Sequence, residues 1–237
     1  MIDFHSHILP GIDDGSRDIQ ETLEMLRLCR QQGVSKMVAT PHFYAHHDSV
    51  EEFLARRQQA LFQVRRLAET ETWIPKIIAG AEVYYFPGIG QAHMLQELCV
   101  EGTELLLLEM PFVQWTEEML KQVRQIIDQQ RLTVILAHVE RFYEFQKRKK
   151  IWNEIIHLPL YVQVNSGSLF DRKMRKVIFR LLKEDFPVIV GSDCHNTGRR
   201  PPDLAQGMEL IRRKFGEDVT ENIDCCGKEM LEIYEKK

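Results

Sequence analysis

Imidazoles and carboxylates recur along this sequence in places that suit metal ligation. His5 and His7 flank Ser6, His42 follows Thr40-Pro41, Glu82, Glu109 and His138 come next, and Asp193 and His195 flank Cys194. These side chains are the usual protein ligands for zinc, manganese and iron. His-x-His in extended chain puts both rings on one side, because strand side chains alternate. Asp193-x-His195 repeats that geometry with a mixed pair. Ions held close together need a bridging carboxylate, a role open to Glu82 or Glu109. A cluster of two or three ions acidifies bound water and stabilises the entering and leaving oxygens of a phosphoryl displacement. Taken singly, each residue has a plainer reading as a satisfied polar group or a solvated loop residue. His46 and His47 follow Tyr44 in a loop and line the site without binding metal, while His93 and His157 read as structural or surface residues.

The set gains meaning from the elements that carry it. Short apolar, β-branched runs predict strands at Ile2–His5, Met37–Thr40, Lys76–Glu82, Glu104–Glu109, Thr133–His138, Leu160–Val164 and Pro187–Gly191. Helical patterns lie between them. The first has Ser16 as N-cap and Gly33 past its end; others cover Val50–Glu69, Glu117–Gln130, Arg172–Lys183, Asp203–Phe215 and Gly227–Lys237. Alternation of this kind predicts right-handed βαβ units, hence an α/β fold with a parallel sheet. The ligand-type residues fall at or just after the C-terminal ends of the strands. In a closed or nearly closed barrel those ends share one rim, where active sites gather.

The remaining composition narrows the class. The chain has 237 residues, 44% apolar and 28% charged, with a net charge of −4. That balance speaks against nucleic acid or a membrane surface as partner. No stretch is long and apolar enough to span a bilayer. The cysteines (Cys29, Cys99, Cys194, Cys225, Cys226) have no disulfide-like spacing, which predicts a reduced, cytoplasmic protein. One domain over residues 1–237 is expected.

These motifs resemble the polymerase and histidinol phosphatase superfamily, and more closely the manganese-dependent tyrosine-protein phosphatases of bacterial capsule and exopolysaccharide operons. The matching text is D-F-H-S-H-I-L-P-G-I-D-D-G-S at 3–16, T-P-H at 40–42, G-A-E-V-Y-Y at 80–85 and L-L-L-E-M-P at 106–111. It continues with A-H-V-E-R at 137–141, V-N-S-G-S at 164–168 and G-S-D-C-H-N at 191–196, before Arg200-Pro201-Pro202. The resemblance implies a distorted seven-stranded (βα) barrel. It implies one metal on His5, His7, Glu82 and Asp193, with Glu82 bridging to a second on Glu109 and His138. A third falls to Asp14, His42 and His195. Asp14 enters only through this match. Arg141 and Arg200 would grip the phosphoryl oxygens, a task suited to a guanidinium fork. The metal expected is Mn2+ in two or three copies, with iron or zinc as alternatives. The expected partner is a phosphotyrosine-bearing protein, the tail of a tyrosine autokinase.

In the resulting mechanism a metal-activated hydroxide attacks phosphorus in line. Phe43, Tyr44, Tyr84, Tyr85, Phe112 and Trp115 follow strand ends and are candidates to wall an aryl pocket. Rival readings remain. Cys194 and Arg200 stand in C-x5-R spacing, the formal signature of thiolate phosphatases, but the cysteine lies between two expected ligands and prolines follow the arginine. Histidinol phosphate or another small phosphoester would use the same cluster. So would a nuclease, which needs a basic strip; the basic clusters at 147–150 and 172–176 read as solvated helix faces or as a dock for an acidic partner tail. A non-catalytic metal-stabilised module would bind metal without turnover.

Overall fold

β1 (Ile2–Ser6) has all five residues buried, as a strand covered on both faces must. After it come α1 (Ile19–Gln31), β2 (Lys36–Ala39), β3 (His42–Phe43), α2 (Val50–Thr70), β4 (Lys76–Ala79), β5 (Glu82–Tyr84), the short α3 (Leu95–Leu98) and β6 (Leu105–Glu109). The second half holds α4 (Glu117–Asp128), β7 (Thr133–Leu136), α5 (Lys149–Ile156), β8 (Tyr161–Asn165), α6 (Arg172–Lys183), β9 (Val188–Gly191), α7 (Leu204–Phe215) and α8 (Glu217–Glu235). The computed structural model describes residues 1–235. Among them, no helix is long and apolar enough to cross a membrane.

Every strand pair is parallel, so the fold is α/β with parallel sheets, as expected. The strand count differs. The described residues hold one sheet in the order β1-β2-β4 and another in the order β3-β5-β6-β7-β8-β9, nine strands rather than seven. The third predicted strand is divided at Gly80-Ala81 into β4 and β5, and a further short strand, β3, follows the second beyond Thr40-Pro41, where proline has no N–H to give a ladder. At these breaks the chain leaves one sheet and enters the other, pairing His42 with Glu82. The loop after β9 is tied to β1: Asp193 N donates to His5 O (2.7 Å) and His7 N to Cys194 O (2.9 Å).

Two-residue alternation sorts the strand side chains into two packed groups. Ile2, Phe4, Val38, Ile78, Leu105, Leu107, Ile135 and Ile189 cluster together with Met230 and Leu231 of α8. Their neighbours, such as Met37, Ala79, Leu106, Val134 and Val190, pack with the apolar faces of the helices.

Two helices start elsewhere than their local signals predict. Asp18, not Ser16, caps α1 by accepting from Glu21 N. The loop before it folds back, with Ser16 N donating to His7 O (2.9 Å), so the helix begins later. α8 starts at Glu217, ten residues ahead of the predicted Gly227. Gly227 lies inside it because the helix presses on β1: a Cβ there would meet Phe4 Cε2 at 2.6 Å. Lys236 and Lys237 of the predicted terminal helix lie outside the described residues. α5 has no counterpart in the predicted helices.

Candidate metal centre

β1 delivers His5, and the loop leaving it sets His7 alongside, their Nε2 atoms 3.1 Å apart. Each ring is held from behind. His5 Nδ1 lies 3.0 Å from Gln163 Oε1, and His7 Nδ1 lies 2.7 Å from Asp13 Oδ2. An acceptor behind Nδ1 fixes the proton there and leaves Nε2 with a free lone pair, the form a metal ligand needs. Both Nε2 atoms face Glu82 Oε2 (3.1 and 3.2 Å) and Asp193 Oδ1 (3.4 Å each).

Glu82 stands at the middle of the arrangement. Its Oε2 is also 3.0 Å from His42 Nδ1, and its Oε1 is 2.8 Å from His138 Nε2. Glu109 Oε1 lies 3.6 Å from the same His138 nitrogen. On the other side, Asp14 Oδ1 meets His42 Nε2 at 3.4 Å and His195 Nε2 at 3.3 Å. His195 Nδ1 donates to Asp193 O (2.9 Å), which again turns the Nε2 lone pair outward. Ligand atoms thus fall into neighbouring groups within 4.8 Å of one another: His5, His7, Glu82 and Asp193; His7, Asp14, His42 and His195; and His42, Glu82 and Glu109. All nine sequence-predicted ligand positions converge, Asp14 included.

Backbone strain marks two of them. His138 (φ 30°) and Asp193 (φ 55°) are non-glycine residues in the left-handed region. Each costs about 1–3 kcal/mol, a cost that surrounding structure must impose. The loop after β1 also needs Gly15, where a Cβ would lie 2.2 Å from His7 O.

The electrostatics fit a cation. Glu82 and Asp193 are buried, which by itself opposes their charge; the imidazoles, His5 foremost, nevertheless hold both carboxyls well below the usual range. His42 is raised to about 9 despite its burial, through Asp14 and Glu82. Glu109 is pushed up to about 7 by burial and then by the Glu82 charge. Two carboxylates that oppose each other in a dry site call for positive charge between them. Glu82 Oε2 carries the same message: three imidazole nitrogens approach it within 3.0–3.2 Å, yet it accepts a hydrogen bond from none. The donor set, imidazole with carboxylate and no thiolate, suits manganese, iron or zinc.

Arg141 and Arg200 reach the edge of this cluster. Arg200 pairs with Asp193 Oδ2 and places Nη1 2.8 Å from His195 Nε2. Arg141 Nη1 is 3.6 Å from the same Asp193 oxygen, its guanidinium 5.1 Å from the Phe112 ring centre.

Three of the six candidate pocket aromatics are elsewhere. Phe43 packs on Phe53 in the core, Tyr85 is buried there, and Trp115 stacks on Trp152 with its indole N–H on Pro111 O. Tyr44, Tyr84 and Phe112 remain at the site; Tyr44 lies 5.2 Å from the His42 ring and 5.6 Å from Tyr84. His46 and His47 are exposed and touch Tyr44, while His93 and His157 are exposed and distant from these groups. The C-x5-R reading fails on Cys194. Its thiol is buried, and hydrogen bonding to Cys29 and then desolvation push it well above the ordinary range, the reverse of an activated thiolate.

Sequence reasoning passed over Asp13, Gln163 and Asn165. Gln163 Oε1 also accepts from His138 N (2.7 Å); its Nε2 donates to Asn165 Oδ1 (2.9 Å), and Asn165 Nδ2 donates to Asp193 Oδ2 (2.7 Å). For Gln163 and Asn165 the signal is two amides alternating through the otherwise apolar run Tyr161–Asn165, a strand that bears no candidate ligand.

Comparison with known proteins settles the family. The family model for capsular polysaccharide synthesis, CpsB/CapC, matches residues 1–231. The chain belongs to the CpsB/CapC family. Tyrosine-protein phosphatase CpsB of Streptococcus agalactiae serotype III is 27% identical over 227 residues, covering 92% of each chain. Tyrosine-protein phosphatase YwqE of Bacillus subtilis is 28% identical over 235 residues, 94% of this chain and 90% of that one. A crystal structure from work on YwqE of Bacillus subtilis and CpsB of Streptococcus pneumoniae, described as unique metal-dependent tyrosine phosphatases, superposes with a TM-score of 0.86 at 24% identity. It covers 98% of this CpsB/CapC chain and 94% of its own. That likeness establishes a shared fold.

Proposed function

We propose that this chain is a metal-dependent protein-tyrosine phosphatase. The observation that carries the reading is the position of Glu82, one buried carboxylate facing His5, His7, His42 and His138 at once, with Arg141 and Arg200 at the edge of the same cluster. The names of the CpsB and YwqE relatives support the substrate class.

We assign His5, His7, Glu82 and Asp193 to one ion, Glu82, Glu109 and His138 to a second, and Asp14, His42 and His195 to a third. Manganese is the metal we favour. Bound divalent ions supply Lewis acidity and an acidified water. The chain's own residues do the rest. Gln163 and Asp13 keep the His5 and His7 imidazoles in the ligating tautomer. Arg141 and Arg200 orient the phosphoryl group and stabilise its equatorial charge. Tyr44, Tyr84 and Phe112 flank the aryl ring.

We further read the two sheets as one distorted barrel, supported by the hydrogen bonds joining His5 and His7 to Asp193 and Cys194. We place the protein in the cytoplasm, where the free Cys29 and Cys194 thiols suit a reducing environment. Its substrate there is the tyrosine-phosphorylated tail of an autokinase. The test is phosphate release from phosphotyrosyl peptide, phosphoseryl peptide, histidinol phosphate and single-stranded DNA. Each is assayed before chelation, after it, and after manganese is restored. Metal-restored turnover of phosphotyrosine above the others is expected; preference for histidinol phosphate or DNA, or activity that survives metal removal, overturns the reading.

A further inference from the structure

The two arginines also open onto a trough that leads away from the cluster. A cavity of about 490 Å3 is lined by Asp193, Arg200, Arg141, Phe170 and Met174. A second, of about 580 Å3, shares Arg141, Asp171 and Met174 with it and continues along α6 past Lys173, Val177 and Lys176. The two form one path from the candidate phosphate position to the surface of that helix.

The charge along the path is uneven. α6 carries Arg172, Lys173, Arg175, Lys176, Arg180 and Lys183 and no acidic residue. Arg180 is occupied by Glu184 and the Tyr143 hydroxyl, and Arg175 by Leu169 O. Lys173 and Lys176 are exposed and, among the described residues, form no ion pair, although both line the second cavity. Of the acids on the lining besides Asp193, Asp203 is held by the Ser166 hydroxyl, Asp171 is engaged by Lys173 N and Met174 N, and Glu140 is buried with one oxygen on Asn165 N; Glu144 is exposed.

Such a path fits an extended polypeptide. Met174, Val177 and the exposed Phe170 offer apolar wall, and the two free lysines offer cationic points beyond Arg141. A nucleic acid strand, with a charge at every step, would meet Asp171 and Glu144 as well as the lysines. A peptide needs acids only opposite the lysines.

We propose that the α6 trough is the docking surface for the chain flanking the phosphotyrosine, and that Lys173 and Lys176 select substrates with acidic residues within a few positions of it. The proposal rests on the phosphatase reading, but its test separates the two. Manganese-loaded wild type and K173E/K176E are compared on p-nitrophenyl phosphate and on phosphotyrosyl peptides flanked on both sides by Glu or by Lys. Binding of a fluorescein-labelled Glu-flanked phosphopeptide is followed by anisotropy in parallel. Wild type binds and turns over the Glu-flanked peptide with Kd and KM about tenfold lower than the Lys-flanked one, at similar kcat. K173E/K176E loses that preference while its kcat/KM on p-nitrophenyl phosphate stays within about twofold of wild type. Equal binding of the two peptides by wild type, a preference that survives in the variant, or displacement of the peptide by single-stranded DNA at equal concentration overturns the docking surface. Failure to turn over p-nitrophenyl phosphate overturns the phosphatase reading instead, and the anisotropy comparison still decides the docking surface.

Discussion

Asp13 Oδ2 lies 2.7 Å from Nδ1 of His7 and accepts the backbone N–H of His42 at 3.0 Å, so one carboxylate outside the proposed ligand set orients two members of it. Its other oxygen accepts from Gly15 N and closes the loop after β1. Asp13→Asn leaves volume and loop closure nearly intact but sets an amide against Nδ1 of His7, favouring the wrong tautomer. Manganese affinity is expected to fall about 10–100-fold, with an unchanged far-UV spectrum, as read by calorimetric titration. Unaltered affinity would leave Asp13 with the loop alone.

Cys194 supplies a second prediction, because its position argues against its apparent motif. Cys194→Ser keeps most of the activity, whereas Asp193→Ala and His42→Ala nearly abolish it. Thiol labelling of the native protein modifies exposed Cys225 quickly and spares Cys194 until unfolding. Loss of turnover in Cys194→Ser together with resistance to chelation would restore a thiolate mechanism.

The difference between Asp13 and Asp14 shows how far the sequence could be read. Strand-end placement pointed to eight of the nine ligand positions, because a parallel sheet brings the ends of its strands to one side whatever the loops do. Asp14 sits in a loop and entered by resemblance alone. Asp13, its neighbour in Gly-Ile-Asp-Asp-Gly, has no periodicity to mark it; only the turn-back at Gly15 decides which aspartate faces His7 and which the cluster edge. The aromatic residues were harder still. Tyr84 and Tyr85 both follow a strand end, but alternation sends one to the site and the other to the core. The seven-strand expectation gave way where Gly80-Ala81 interrupts a run that reads as continuous, and where β3 forms beyond the expected end at Thr40.

That alternation separates two substitutions. Tyr44→Ala removes a ring beside His42 that is only partly buried. It should raise KM for an aryl phosphate several-fold more than it lowers kcat, with little change in stability. Trp115→Ala removes a buried ring stacked on Trp152 and should cost about 3–5 kcal/mol of stability, read by urea denaturation, before it touches KM. The reverse pattern in the two variants would return Trp115 to the pocket.

Metal uptake should depend on pH with a definite sign. His42 is raised to about 9 and Glu109 to about 7. A ligand must be deprotonated to bind, so below those values each must release its proton. Apparent manganese affinity therefore rises with pH from 6 to 9, by up to about tenfold per pH unit for each proton displaced, and His5 and His7, raised despite their burial by neighbouring carboxylates, add to the rise. Calorimetry in buffers of differing ionisation heat should count the released protons. Binding that is flat across this range would contradict the assignment of His42 and Glu109.

Gln163 tests whether the supporting network holds the cluster as a unit. Its Oε1 accepts from His5 Nδ1 and His138 N, and its Nε2 reaches Asp193 through Asn165. Gln163→Leu leaves the His5 and His138 donors and the Asn165 oxygen unpaired in a buried site, at about 1–3 kcal/mol for each group. Gln163→Glu keeps the two accepted bonds but replaces the donor to Asn165 with a carboxylate oxygen that opposes its Oδ1. If the network positions ligands on both sides of Glu82, Gln163→Leu should lose metal from more than one site. Gln163→Glu should keep the ion near His138 and weaken the one shared by His5 and Asp193. Metal stoichiometry on dialysed protein, with thermal unfolding measured alongside, distinguishes this from simple destabilisation. Equal stoichiometry in both variants would mean that Gln163 fills space in β8 and orients nothing.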